Sequence, residues 1–138
     1  MIRFVLAFIA AVAIPALPAE AGTGGCPHCS LAGQDFSNKC LQYANYEGAD
    51  FSGAKLVLTC LSHANLKQAS FRRADLSGAN LFQADLAAAD FTGAVLSSTS
   101  LKDADLTRAA GLTQAQLSGA CGDAKTRLPA GLTVKMCQ

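Results

Sequence analysis

With 138 residues the chain has room for one small domain, and it carries eleven Lys and Arg against ten Asp and Glu, a net charge of +1. That balance gives neither the basic stripe of a nucleic-acid binder nor the dense negative surface of a duplex mimic. Six cysteines in so short a chain read first as disulfides.

The first element is a secretory signal peptide over residues 1–21. Met1-Ile2-Arg3 is a basic start, Phe4 to Ile14 is an apolar run, Pro15 and Pro18 close it, and Ala19-Glu20-Ala21 supplies a small-x-small cleavage site. The run is too short for a comfortable membrane span. Thr23-Gly24-Gly25 ahead of Cys26 lacks the Leu of a lipoprotein box, so no stable membrane anchor is expected. Cleavage after Ala21 gives a mature chain that starts at Gly22 and is periplasmic or secreted. Losing Arg3 and Glu20 leaves ten basic and nine acidic residues, again a net of +1.

Residues 22–30 form a leader that holds Cys26-Pro27-His28-Cys29. These four residues resemble the active-site motif of periplasmic thiol oxidases of the thioredoxin superfamily. There the first Cys sits at a helix N-terminus that lowers its pKa. The resemblance implies thiol–disulfide redox chemistry as the alternative function. No βαβ unit surrounds the motif, and a structural staple or N-terminal cap is the preferred reading. Cys26, His28 and Cys29 are three ligands where a closed zinc site wants four. Cys-x-x-Cys-Ser is not the Cys-x-x-Cys-His of haem attachment. Neither a metal nor a cofactor is expected.

From Leu31 onwards one spacing governs the chain. Leu31, Phe36, Leu41, Tyr46, Phe51, Leu56, Leu61, Leu66, Phe71, Leu76, Leu81, Leu86, Phe91, Leu96, Leu101 and Leu106 recur every five residues. Two residues ahead of them, from Ala44 to Ala104, runs a second beat of Ala, interrupted only by Thr59 and Thr99. A period of five rotates an apolar residue by about 140° per repeat on an α-helix, and on a strand it alternates faces. The chain must therefore turn once per repeat, which is a solenoid signature. Asp or Asn beside the Leu suits a tight turn, and Gly48, Gly53, Gly78 and Gly93 relax the corner.

Ala74-Asp75-Leu76-Ser77-Gly78, Ala79-Asn80-Leu81-Phe82-Gln83 and Ala84-Asp85-Leu86 resemble the A-[DN]-[LF]-x-x unit of pentapeptide-repeat proteins. The resemblance spans about Cys29 to Arg108. It implies an all-β fold, a right-handed quadrilateral β-helix with four pentapeptides per coil and about four coils, over residues 31–108. The opening coil is expected to be distorted, because Gln34 and Lys39 stand where later repeats have Ala, and an inward Lys is costly.

The register also suggests disulfides. Cys40 and Cys60 are one coil apart and should stack at about 4.8 Å between Cα atoms, inside the disulfide window of about 4.4–6.8 Å. Cys121 and Cys137 bracket a tail with no repeat to hold it, and Cys26 pairs with Cys29 by elimination. On the outer surface, Tyr43, His63 and Gln83 stack on one side beside Gln42, Ser62 and Phe82. Tyr43, His63 and Phe82 are one candidate interaction surface, and outward Val57 and Leu58 are another. Asp35, Lys55 and Asp75 form a charge ladder, and Arg72 and Arg73 share a side with Asp50 and Asp90.

After Leu106 the beat fails, and residues 109–138 are read as a C-terminal cap. Thr113-Gln114-Ala115-Gln116 has the form of a capping box and should open a short helix, with Leu112 and Leu117 covering the last coil. The chain lacks a nucleophile–base pair, a phosphate loop and a metal cluster, so it reads as non-enzymatic. The expected role is a protein-interaction or structural scaffold of the periplasm with a protein partner and no nucleic acid. Pairing into a homodimer through the C-terminal cap is compatible with the residues but not demanded by them. The pentapeptide-repeat resemblance also brings in mimicry of DNA towards gyrase, which a near-neutral exported chain does not suit.

Overall fold

The computed structural model describes residues 24–138, so residues 1–23, including the segment that the sequence reads as a signal peptide, lie outside the described part. Residues twenty apart pair as parallel bridges, from Gly25↔Asn45, Ser30↔Asp50, Asp35↔Lys55 and Cys40↔Cys60 through to Asp90↔Ala110. Four columns of bridges make four walls. Each wall is tied vertically by backbone hydrogen bonds, such as Leu31 N–H to the Asp50 carbonyl (2.7 Å) and Asp50 N–H to the Cys29 carbonyl (2.8 Å). Nearly every repeat also turns on its own short bond, as when Ala79 N–H donates to the Leu76 carbonyl at 2.9 Å.

The turn demands a left-handed backbone at the second residue after each Leu or Phe. Gly48, Gly53, Gly78 and Gly93 meet that demand with φ of 68, 68, 69 and 73°. Elsewhere L-residues accept it, among them Tyr43, Leu58, His63 and Ala88, with φ of 57–64°. Gly48 serves a second purpose, since a Cβ there would collide with the His28 ring one coil above.

All sixteen residues of the Leu/Phe beat are buried, as is the Ala beat from Ala44 to Ala104. Thr59 and Thr99 fit the Ala column because their hydroxyls donate to the carbonyls of Phe36 (2.9 Å) and Leu76 (2.8 Å). Those bonds satisfy polar atoms that would otherwise be costly to bury. Tyr46 has no such arrangement. Its hydroxyl is buried without a partner among the described residues, and burial pushes its pKa up to about 12. Tyr46→Phe is therefore expected to raise stability by about 1 kcal/mol, read as a higher urea midpoint. A lower midpoint would mean that the hydroxyl is satisfied.

The Asp and Asn residues outside the beat act as expected for tight turns. Oδ1 of Asp35, Asn45, Asp50, Asn65, Asp75, Asn80, Asp85, Asp90 and Asp105 accepts the backbone N–H two residues on. Hydrogen bonds from Ser52 and Thr92, the side chains first and then the backbone N–H groups, hold the Asp50 and Asp90 carboxyls below the usual 3.8. A folded pKa below the unfolded one gives stability that is present above the unfolded value and is lost as pH falls through the folded one. Urea midpoints should stay level from about pH 7 to 5 and fall below about pH 4. Asp90→Asn, which keeps the acceptor and removes the titration, should weaken that fall; an unchanged acid profile would contradict the assignment.

The opening coil is not distorted. Its bridges are in register, Lys39 is exposed and Gln34 is only half-buried. At the end of a stack a long side chain can run outwards along the rim. The ladder also begins before Leu31, at Gly25, so the segment read as a leader lies within the coils.

At the other end the ladder continues with a slip. Ser100 bridges Cys121 and Asp105 bridges Arg127, offsets of 21 and 22 in place of 20. One extra residue is taken up around helix α1 (Gln114–Leu117), where Thr113 and Gln116 form a reciprocal capping box, and the second in the turn between Cys121 and Arg127. Leu117 and Ala120 join the core cluster. Gln116 Nε2 also donates to the carbonyls of Phe91 (2.8 Å) and Ala94 (2.9 Å) on the exposed rim. Strands β1 (Cys121–Gly122) and β2 (Lys135–Met136) pair in parallel, and the Cys121–Cys137 disulfide ties them with 4.8 Å between Cα atoms.

Cys26 and Cys29 form the second disulfide, whereas Cys40 and Cys60 remain thiols, which corrects the pairing expected for them. The reason is direction, not distance. Cys40 and Cys60 are in-register partners of a parallel bridge, so their Cα–Cβ bonds run side by side. Their Cβ atoms are then held near the ladder spacing of about 4.8 Å, beyond the Cβ separation of about 3.5–4.5 Å that a disulfide prefers. Cys121 lies opposite Lys135, not Cys137, and that offset lets its side chain converge on its partner.

Candidate functional site on one wall

The wall that begins at Cys40 carries most of the chemistry-bearing side chains. The Tyr43 and His63 rings stack with centroids 4.6 Å apart and planes 6° from parallel. Phe82 then meets His63 edge-on at 5.4 Å. Tyr43 and His63 reach this arrangement because both sit on left-handed corners one coil apart, which aims their side chains alike. Tyr43 and Phe82 keep 46% and 36% of their surface in solvent. The expected aromatic surface is thus brought together, but in a particular form: the facing sides of Tyr43 and His63 cover each other. What remains for a partner is largely ring edges and the Tyr43 hydroxyl.

The same wall holds the thiols. Cys40 is exposed and Cys60 partly so. The Cys60 Sγ contacts the Ser62 hydroxyl at 3.5 Å and Gln42 Oε1 at 3.6 Å. The Cys40 thiol is held above its usual pKa by the neighbouring Cys60 and, less, by burial.

Val57 and Leu58 lie on a different wall and do not join the aromatic surface. Leu58 is 60% exposed and its Cδ2 lies over Gly78, in space that a Cβ there would need. The same wall carries exposed Val95, in the column of Asp35, Lys55 and Asp75. Sequence reasoning passed over Val95, although an apolar residue where that column otherwise holds Asp or Lys was the signal. Of the charges named from the sequence only Arg72 and Asp90 pair, with Nη1 to Oδ2 at 3.0 Å, and the stacked Asp35, Lys55 and Asp75 form no ion pair. Lys67–Asp85 (3.5 Å) and Arg127–Asp105 (3.4 Å) are the other ion pairs among the described residues. All are solvent-exposed and worth at most about 1 kcal/mol each. A shallow depression near the C-terminal end is lined by Gln83, Asp85, Asp103, Asp105, Lys125 and Arg127. Its groups already bond one another, as Gln83 Nε2 does to Asp103 Oδ2 at 2.6 Å.

Cys26 and Cys29 occupy the repeat's own inward positions. Cys26 stands five residues before Leu31, and Cys29 two before it, where later repeats have Leu and Ala. Cys29 N–H donates to the Cys26 carbonyl at 3.2 Å, as Ala79 N–H does to Leu76. Both cysteines pack against the core, and Cys26 precedes a turn, not a helix. Among the described residues no three His, Cys, Asp or Glu side chains converge to hold an ion, and no helix is long and apolar enough to cross a membrane.

Comparison with known proteins follows the same lines. The Pentapeptide repeats family profile matches, in eight copies, over residues 29–73, 74–110 and 84–121. Among solved structures the chain is similar to HetL of the cyanobacterium Nostoc sp. strain PCC 7120, a pentapeptide repeat protein involved in heterocyst differentiation regulation. The identity is 26% and the TM-score 0.67, over 86% of this chain and 47% of HetL. It is also similar to alr5209, a pentapeptide repeat protein of Nostoc PCC 7120, at 27% identity and a TM-score of 0.62, over 89% of this chain and 87% of that one. QnrB1, a plasmid-mediated fluoroquinolone resistance protein, shares the fold at 20% identity and a TM-score of 0.54, over 76% of this chain and 63% of its own. The chain thus spans less than half the length of HetL. No curated protein matches it. These neighbours imply a right-handed β-helix solenoid, and with the profile covering most of the sequence, the chain belongs to the pentapeptide-repeat family.

Proposed function

We propose that the chain is an exported, non-enzymatic pentapeptide-repeat module that serves as a protein-interaction or structural scaffold in the periplasm. The observation that carries this reading is the stacked Tyr43–His63 pair with Phe82 against it, displayed on a flat wall of a solenoid whose inward positions are filled by packing. Aromatic side chains already fixed in place lose little freedom on binding, and such residues commonly dominate protein interfaces. Export is supported by the basic start, the apolar run and Ala19-Glu20-Ala21. The two disulfides suit an oxidising compartment. In this reading α1, with Leu117 inserted, caps the C-terminal coil, as solenoids require. Thiol–disulfide catalysis at Cys26 and Cys29 is the weaker reading, because both occupy packing positions of a repeat and Cys26 has no helix N-terminus to lower its pKa.

Site-specific photocrosslinking tests the scaffold in the native envelope fraction. A crosslinker at position 82 should give one discrete adduct that disappears when Tyr43→Ala and His63→Ala are added. No adduct, or an adduct unaffected by those changes, would exclude this wall. Mass analysis of the exported protein should show Gly22 at its N-terminus. Retention of residues 1–21 would overturn the export reading.

A further inference from the structure

Among the described residues, the Cys40–Cys60 pair is the cluster of reactive side chains that neither packing nor the scaffold reading absorbs. The two thiols stand one above the other in an in-register parallel bridge, one exposed and one partly exposed. Their backbones are fixed. Leu41 N–H donates to the Cys60 carbonyl at 2.7 Å, and Cys60 N–H donates to the Lys39 carbonyl at 2.9 Å. The chain's other four cysteines are already joined in two disulfides.

We propose that Cys40 and Cys60 form a two-coordinate site for a soft monovalent cation of the Cu(I) or Ag(I) type. The geometry favours an ion between the sulfurs over a bond between them. Side-by-side Cβ atoms near the ladder spacing of about 4.8 Å stand too far apart for a relaxed disulfide. A cation held in line between two thiolates, with metal–sulfur bonds of about 2.3 Å as in zinc thiolates, needs sulfurs about 4.6 Å apart. A parallel in-register pair offers that spacing without moving the backbone.

Ligand chemistry narrows the ion further. Two thiolates select soft cations, whereas zinc wants four ligands and hard cations want oxygen. The nearest groups that could raise the coordination number are Gln42 Oε1 and the Ser62 hydroxyl, neutral oxygens with little affinity for a soft ion. His63 lies on the same wall, but its ring is stacked on Tyr43. On binding, each thiol gives up its proton to solvent, the cation takes both sulfur lone pairs, and no electron is transferred.

The test uses the full mature chain with both disulfides intact, titrated with Ag(I) alone, an ion that needs no reductant. One Ag(I) per chain is expected by native mass spectrometry, with a new ultraviolet thiolate-to-metal band. Cys40→Ser or Cys60→Ser should each weaken binding by at least about a hundredfold, since each removes one of only two ligands. Ser is native to this column, where Ser100 occupies a lower coil, so the variants should melt as the parent does. Three results would overturn the proposal: undiminished binding in the double Ser variant, no binding by the parent, or a Cys40–Cys60 disulfide in peptide maps of the protein as isolated.

Discussion

Replacing Phe71 by Asp is expected to leave no folded population. Phe71 is fully buried in the middle of a three-ring column, stacked on Phe51 at 5.4 Å and on Phe91 at 5.3 Å. A carboxylate there would meet ring faces above and below and find no donor. Leaving a charge unpaired in such a place costs several kcal/mol, against a total stability of about 5–15 kcal/mol. Phe71→Leu is the control. Leu31 already heads this column, and trimming the ring to Leu keeps the site apolar, so the loss should stay at about 1–3 kcal/mol and leave a folded protein. A soluble Phe71→Asp protein with a cooperative melt by circular dichroism would show that the register is wrong.

Removing the Cys121–Cys137 disulfide through a double Ser substitution should lower stability by about 3 kcal/mol. The bond closes a loop of sequence separation 16 around a tail held otherwise by the two-residue β1–β2 pair and scattered polar contacts. Removing Cys26–Cys29, with a separation of only 3, should cost much less, because a short loop restricts the unfolded chain little. Urea denaturation of the two variants compares them, and limited proteolysis of the first should cut beyond residue 122 before any coil opens. Equal losses would mean that the tail disulfide does not act through loop closure.

The square interior was legible from the chain because its rule is simple: one large and one small inward residue every five. No other regular element satisfies that rule, and the Leu31–Leu106 positions are all buried. The Asp and Asn turns followed from side-chain chemistry in the same way. What went unseen had local causes. Cysteine chemistry masks the spacing of Cys26 and Cys29, although Cys-x-x-Cys copies the Leu-x-x-Ala interval of Leu76 to Ala79. The corners were credited to glycine, yet Tyr43, Leu58, His63 and Ala88 adopt the same left-handed backbone. There the hydrogen bonds of two neighbouring coils outweigh a local cost of about 1–2 kcal/mol. The twenty-residue spacing sets the separation of Cys40 and Cys60 but not the direction of their Cα–Cβ bonds, and direction decides whether neighbouring sulfurs join. On the outer walls, spacing places residues but not ring planes, so the mutual covering of Tyr43 and His63 needed coordinates.

Both disulfides lie at the extremities of the stack, one within the first turn and one across the last, with the middle coils free of any crosslink. In an assembly where each coil touches only its neighbours, unravelling starts at the ends, because only there does a layer have a single contact to lose. The Cys121–Cys137 clasp ties the last strand to the one beside it and shuts the C-terminal exit, whereas Cys26–Cys29 joins two residues of one repeat, ties no coil to the next and leaves the first coil free to peel. Degrading enzymes that grip a loose terminus would find little to pull at the C-terminal end until that clasp is reduced. How long that end holds would accordingly follow the thiol balance of its surroundings.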